Sequence, residues 1–159
     1  DTGGAQSQFN GKITTYDSVA TAGVGMPSIV AVIDNTGVAA ARTTAALFTA
    51  AAAGFFRVTF HLTLTTAGSV SSTMGAGINV NYSTGNGGTA VSQNVPMYLQ
   101  GSTTASTDGG SGANTVGTTL YGSVIIYCNT TVVTYDIGYT SNAGGTMQYA
   151  EHIRVERLG

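Results

Sequence analysis

The chain has 159 residues, of which 42% are hydrophobic and only 8% charged, with a net charge of −2. Five Lys and Arg residues leave no basic patch for nucleic acid or an anionic membrane surface, and a single cysteine excludes both an internal disulfide and a Cys-based zinc site. The length suits one domain that buries about two-thirds of its unfolded surface, and the prevalence of Thr, Ala, Ser, Gly and Val points to strands rather than helices.

In chain order, residues 1–11, "DTGGAQSQFNG", read as a connector or N-terminal arm, and residues 12–159 as one β-domain. No basic stretch followed by an apolar one opens the chain, so it is expected to be made in a cytoplasm without a signal peptide. "SIVAVID" is a short apolar strand ending in a "DNTG" turn. "VAAARTTAALFTAAAAG" has alanine-rich helical propensity but no sustained 3.6-residue stripe, so it is expected to be extended with one loop. "AALFTAAAAGFF" falls short of the ~20 apolar residues of a membrane span, so no membrane insertion is expected.

The clearest strand is "FFRVTFHLTLT", in which Phe56, Val58, Phe60, Leu62 and Leu64 alternate with Phe55, Arg57, Thr59, His61 and Thr63. "AGINVNY" repeats that period, with Ile78, Val80 and Tyr82 on one face. The Gly/Ser/Thr-rich stretch from Gly101 to Thr118 offers little to bury and reads as a long surface loop. Asp108 and Asn114 on it are candidate binding residues. "LYGSVIIYC" and "TVVTYDIGYTS" are expected to form an antiparallel pair around an "NTT" turn, with Cys128 a small buried hydrophobe.

The ending, "TMQYAEHIRVERLG", places Glu151, His152, Arg154, Glu156 and Arg157 in nine residues of an otherwise nearly uncharged protein. A helix would align His152 with Glu156, but Ile153 and Val155 alternate with the polar residues and favour a strand. On a strand His152, Arg154 and Glu156 share one face and Glu151, Ile153, Val155 and Arg157 the other. Alternating signs at such positions suit pairing with neighbouring strands. Such a strand suits a place within a sheet or, together with Tyr149, a subunit contact.

No catalytic, cofactor-binding or metal-ligating set emerges. Asp17, Asp34, Asp108 and Asp136 are isolated in sequence, His61 and His152 lack an evident third ligand, no GxSxG elbow occurs, and "GNGG" and "GGSGAN" lack the lysine of a phosphate loop. Asn129 opens an "NTT" glycosylation sequon, relevant only in a protein secreted by a eukaryote. The tyrosines, including Tyr82, Tyr98, Tyr121, Tyr127, Tyr135, Tyr139 and Tyr149, combine apolar area with a hydroxyl and suit subunit interfaces and glycan platforms. Many short strands with turn residues between them imply a two-sheet antiparallel β-sandwich or jelly roll.

Three stretches carry a resemblance: "GKITTYDSVATAGVGMPSIVAVID", "LFTAAAAGFFRVTFHLTLTTAGSVSST" and "GYTSNAGGTMQYAEHIRVERL". They resemble a group of bacteriophage and prophage proteins with an ATAGxGxP segment, an AGxYRVS-like strand, a TSST turn and a closing GYxSxGxxxMQYxxHIxxExL. Phe56 stands where such relatives tend to have Tyr, and "VERL" replaces a more usual "LEAL". The resemblance implies a non-enzymatic virion structural protein, on capsid or tail, with the trimeric jelly roll of the tumour-necrosis-factor type. The implied partners are two further copies of the chain, other virion proteins and a host-surface glycan. Capsid decoration and a stand-alone carbohydrate-binding domain are the alternatives, the latter requiring aromatics that converge in one cleft.

Overall fold

A computed structural model describes residues 27–68, 72–85, 90–100, 111–112, 115–142 and 146–158. The connector expected over residues 1–11, together with Asp17, lies outside them. Ten strands follow in order: β1 (Ser28–Val38), β2 (Arg42–Thr49), β3 (Gly54–Thr66), β4 (Thr73–Ser83), β5 (Ala90–Asn94), β6 (Met97–Gln100), β7 (Ser111–Gly112), β8 (Thr119–Cys128), β9 (Val132–Thr140) and β10 (Gln148–Arg157). No helix occurs among the described residues, hence none long and apolar enough to cross a membrane.

Two antiparallel sheets pack face to face. The first has the order β1-β10-β3-β8-β6 and the second β2-β9-β4-β5, with β7 paired to β4. The period of two in the sequence becomes an inside and an outside. Phe56, Val58, Phe60, Leu62 and Leu64 of β3 are buried together with Leu120, Val124, Ile126 and Cys128 of β8 and Ile153 and Val155 of β10. From the second sheet Ile78, Val80, Val133, Tyr135 and Ile137 meet them. Ring contacts cross the gap: Phe48 lies 4.9 Å from Phe56 and Phe60 lies 6.1 Å from Tyr135, centroid to centroid. Burying each such side chain contributes about 1.5–3 kcal/mol, which fixes the register, because a one-residue slip would turn the whole apolar set outward.

The Ala-rich stretch is indeed extended, as β2, and "AGINVNY" lies within β4. Three expectations give way, and two strands were not foreseen. β8 and β9 do not form a hairpin with each other: β8 pairs with β3 and β6, β9 with β2 and β4, and residues 129–131 cross from one sheet to the other. Backbone bonds from Asn129 to Ser83 and from Ala50 to Thr131 hold this crossing. Each strand needs its apolar face inside, and an arch between layers satisfies both as well as a hairpin would. Nor does the chain turn at "DNTG". β1 continues to Val38 over a register shift between Asn35 and Val38, with Gly37 at φ 67°. The end of the expected loop is structural, since Ser111–Gly112 pairs with β4, Thr118 is buried, and Leu64 and residues 117–118 exchange two backbone hydrogen bonds. Finally, β5 and β6 were not expected as strands; their few apolar residues flank Pro96, where the chain passes from the second sheet to the first.

Candidate functional site

The outward face of the first sheet is built by residues that alternate with the core. Cross-strand register arranges them in transverse rows. At one end Phe55 lies beside Tyr127. Next come Ile29, Glu156, Arg57 and Ile125, followed by Val32, Arg154, Thr59 and Ser123. The last row runs Asp34, His152, His61, Tyr121 and Tyr98 across all five strands. Of the ten large hydrophobic residues exposed among the described residues, eight belong to strands of this sheet: Ile29, Val30, Val32, Phe55, Tyr98, Tyr121, Ile125 and Tyr127. The outward residues of the second sheet are small and polar by contrast, among them Thr43, Thr44, Thr134, Asp136, Asn79, Asn81 and Ser92.

Polar groups on the first face are paired within the chain. Arg57 Nε donates to Glu156 Oε2 at 2.8 Å, Arg154 Nε lies 3.4 Å from Glu156 Oε1, and His152 Nδ1 lies 2.6 Å from Asp34 Oδ1. The rings of His61 and His152 are 6.0 Å apart. Phe55 meets Tyr127 edge-on, whereas Tyr98 stacks on Tyr121 with a 28° interplanar angle. Beside that stack a cleft of about 620 Å³ is lined by Thr59, His61, Pro96, Tyr98, Tyr121 and Ser123, among others. Gly122 is required at its floor: a Cβ there would come within 2.1 Å of the Pro96 carbonyl oxygen, where β6 joins the sheet.

The six residues expected at a subunit contact divide between the two faces of β10. His152, Arg154 and Glu156 point outward into the rows. Tyr149 and Glu151 point into the sandwich of their own chain and are fully buried, which puts them out of reach of a second subunit. Arg157 is partly buried at the inner end of the strand, its Nε without a hydrogen-bond partner among the described residues. Asp108 and Asn114 lie outside the described residues.

Glu151 nucleates a polar cluster that sequence reading missed. Arg42 of β2, in the opposite sheet, donates from Nη2 to Oε1 at 2.6 Å and from Nε to Oε2 at 3.2 Å, and Asn35 Nδ2 donates to Oε1 at 2.7 Å. Arg42 reaches this carboxylate because β2 bulges: Arg42 opposes Ile137 and Ala45 opposes Tyr135, so two residues of β2 face one of β9 and both Arg42 and Ala45 turn inward. The bulge places Thr44 at φ 51°, a strained conformation for a branched residue. The Asp136 carboxylate accepts from Thr44 N and Asn81 Nδ2, each at 2.6 Å. Hydrogen bonding to Glu151 raises the Arg42 pKa against the opposing effect of burial. Burial, reinforced by the charge of Glu151, pushes the Tyr135 phenol up to about 12 and raises that of Tyr149, whose hydroxyl donates to the Ala40 carbonyl. Burial likewise lifts the Cys128 thiol to about 11, so this cysteine remains a protonated, unreactive core residue.

No protein-family model matches the chain, and comparison with curated proteins and with solved structures gives no match.

Proposed function

We propose that this chain is a non-enzymatic phage virion structural protein that assembles as a homotrimer through the outward face of its first sheet, and that its fold is a jelly roll. The observation that carries the assembly is the segregation of exposed apolar side chains, eight on the strands of one sheet and a single one, Val132, on the strands of the other. One-sided clustering of exposed apolar side chains, here divided by the polar residues of β10 and β3, favours a contact on this face. Closed cyclic symmetry buries it without leaving a repeat of the patch exposed. The strand orders β1-β10-β3-β8 and β2-β9-β4-β5, between which the chain changes sheet at every step except β4 to β5, support the jelly-roll reading. The virion setting rests on the sequence resemblance. Light scattering at micromolar concentration tests the assembly: the parent should have three times the chain mass, and Val32→Glu combined with Ile125→Glu should give a folded monomer. A monomeric parent sinks the reading.

The use proposed for the trimer is adsorption to a host-surface glycan, with the stacked Tyr98–Tyr121 pair and its cleft as the feature that favours sugar binding. This pair sits on the β6 edge of the sheet, at the opposite edge from β1, so the trimer contact is assigned to the other six exposed apolar residues and leaves this edge open. Tyr98, 64% exposed, offers a flat apolar face to a sugar ring, and Thr59 and Ser123 offer hydroxyls to its edges. Glycan-array binding that survives Tyr98→Ala at matched trimer concentration excludes this platform. Capsid decoration is separated from attachment by the position of the protein in electron micrographs of the particle.

A further inference from the structure

We infer that His61 and His152 form a transition-metal site with Asp34 as its orienting carboxylate, specific for a first-row dication such as Zn²⁺, Ni²⁺ or Cu²⁺. The two histidines are 91 positions apart in sequence but directly opposed across the β3–β10 ladder, with ring centroids 6.0 Å apart. Both side chains are exposed in the single chain, so neither imidazole is committed to its core. Because this row lies on the face proposed to assemble, the titration is run on the monomeric Val32→Glu, Ile125→Glu variant as well as on the parent. A tetrahedral dication with Zn–N bonds of about 2.0–2.1 Å holds its two nitrogen ligands about 3.3 Å apart. A centroid separation of 6.0 Å is compatible with that spacing when both rings turn a nitrogen toward a shared metal.

The Asp34 carboxylate decides which nitrogen is available. It opposes His152 in the β1–β10 register and sits 2.6 Å from Nδ1. A carboxylate there holds the proton on Nδ1 and leaves the Nε2 lone pair free for a metal, the carboxylate–histidine–metal arrangement that fixes ring orientation. Asp34 therefore lies behind the ligand and is not itself a third ligand, in keeping with the absence of three converging His, Cys, Asp or Glu groups among the described residues. Each chain thus offers two protein ligands, and the remaining positions of the metal are left to water or an external donor. Imidazole pairs suit Zn²⁺, Ni²⁺ and Cu²⁺ and bind Mg²⁺ and Ca²⁺ poorly, because the hard cations require oxygen donors. The sequence concealed the site for a simple reason. The third group lies in "DNTG", which reads as a turn, and only the continuation of β1 past Ile33 brings Asp34 into line.

The test is calorimetric titration of the full chain with ZnCl₂ and NiCl₂, with MgCl₂ as the contrast. The expected result is saturable uptake of one Zn²⁺ or Ni²⁺ per chain and none of Mg²⁺. His61→Gln and His152→Gln should each abolish saturable uptake, and Asp34→Asn should weaken it about 10–100-fold. A measurement that needs no variant runs beside it: substoichiometric Cu²⁺ should broaden the ring proton resonances of both histidines together in the NMR spectrum of the parent. No saturable uptake by either the parent or the monomeric variant, uptake that persists in either glutamine variant, or broadening of only one histidine overturns the site. An Asp34→Asn variant with parental affinity overturns the role given to the carboxylate.

Discussion

Glu151 and Glu156 lie on the same strand and each binds an arginine from elsewhere in the chain, yet they do different work. The odd spacing puts them on opposite faces of β10. Glu156 meets Arg57 on the outward face of the first sheet, where the arginine side chain is 44% and the glutamate side chain 15% exposed, so water screens the pair from the arginine side. Glu151 is fully buried and reaches across the sandwich to Arg42, so its pair joins the two sheets. Similar hydrogen-bond lengths therefore conceal dissimilar energetics. The interior charge must be matched completely, by Arg42 and Asn35 together, whereas the exterior one tolerates imperfect company.

Cutting the interior pair should have the largest effect. Glu151→Ala or Arg42→Ala each strands an unmatched polar group and should lower stability by about 3–5 kcal/mol in urea denaturation. The double replacement Arg42→Met with Glu151→Leu should recover most of that loss, since well-packed apolar residues commonly substitute for buried pairs. If the single variants match the parent, the distinction between the two carboxylates fails.

Alkaline pH attacks the same interior by another route. Cys128, Tyr135 and Tyr149 all have folded-state pKa values raised above their ordinary ones, so the folded protein holds their protons more tightly than the unfolded chain. Their contribution to stability is complete below the ordinary thiol value of 9.0 and is lost as pH rises through about 11 to 12. Melting temperature should thus fall steeply above pH 9, and Cys128 should resist thiol reagents until the protein unfolds. A melting temperature level across that interval would show that the interior admits water.

An intermediate effect is expected at the bulge that aims Arg42 inward. Asp136→Ala removes the acceptor for Thr44 N and Asn81 Nδ2 and should cost about 1–3 kcal/mol. Thr44→Gly should offset part of this, because glycine accepts the positive φ without strain. The smallest effect belongs to the exterior pair: Arg57→Ala or Glu156→Ala should change the stability of a chain by about 0–1 kcal/mol. Any larger consequence should appear in assembly, read as a shift in the concentration at which light scattering detects dissociation. A loss from Glu156→Ala as large as that from Glu151→Ala in a monomeric background would remove the contrast.

The alternation in β3, β8 and β10 determined by itself which residues share a face, because a pleated strand reverses side-chain direction at every residue. From "EHIRVERL" alone it follows that Glu151 and Glu156 face opposite ways. Which face is inside one chain and which is open depended on partners distant in sequence. Arg42 lies 109 positions from Glu151 and reaches it only through a bulge whose two-against-one pairing leaves no periodic trace. The sheet to which each strand belongs was equally hidden. "LYGSVIIYC" and "TVVTYDIGYT" have the same alternation whether they pair with each other or arch between layers, and only the competition among all ten strands for apolar cover places β8 beside β3 and β9 beside β4. The outward rows arise the same way: Asp34, His152, His61, Tyr121 and Tyr98 are scattered through the chain, and long-range register alone brings them into one line.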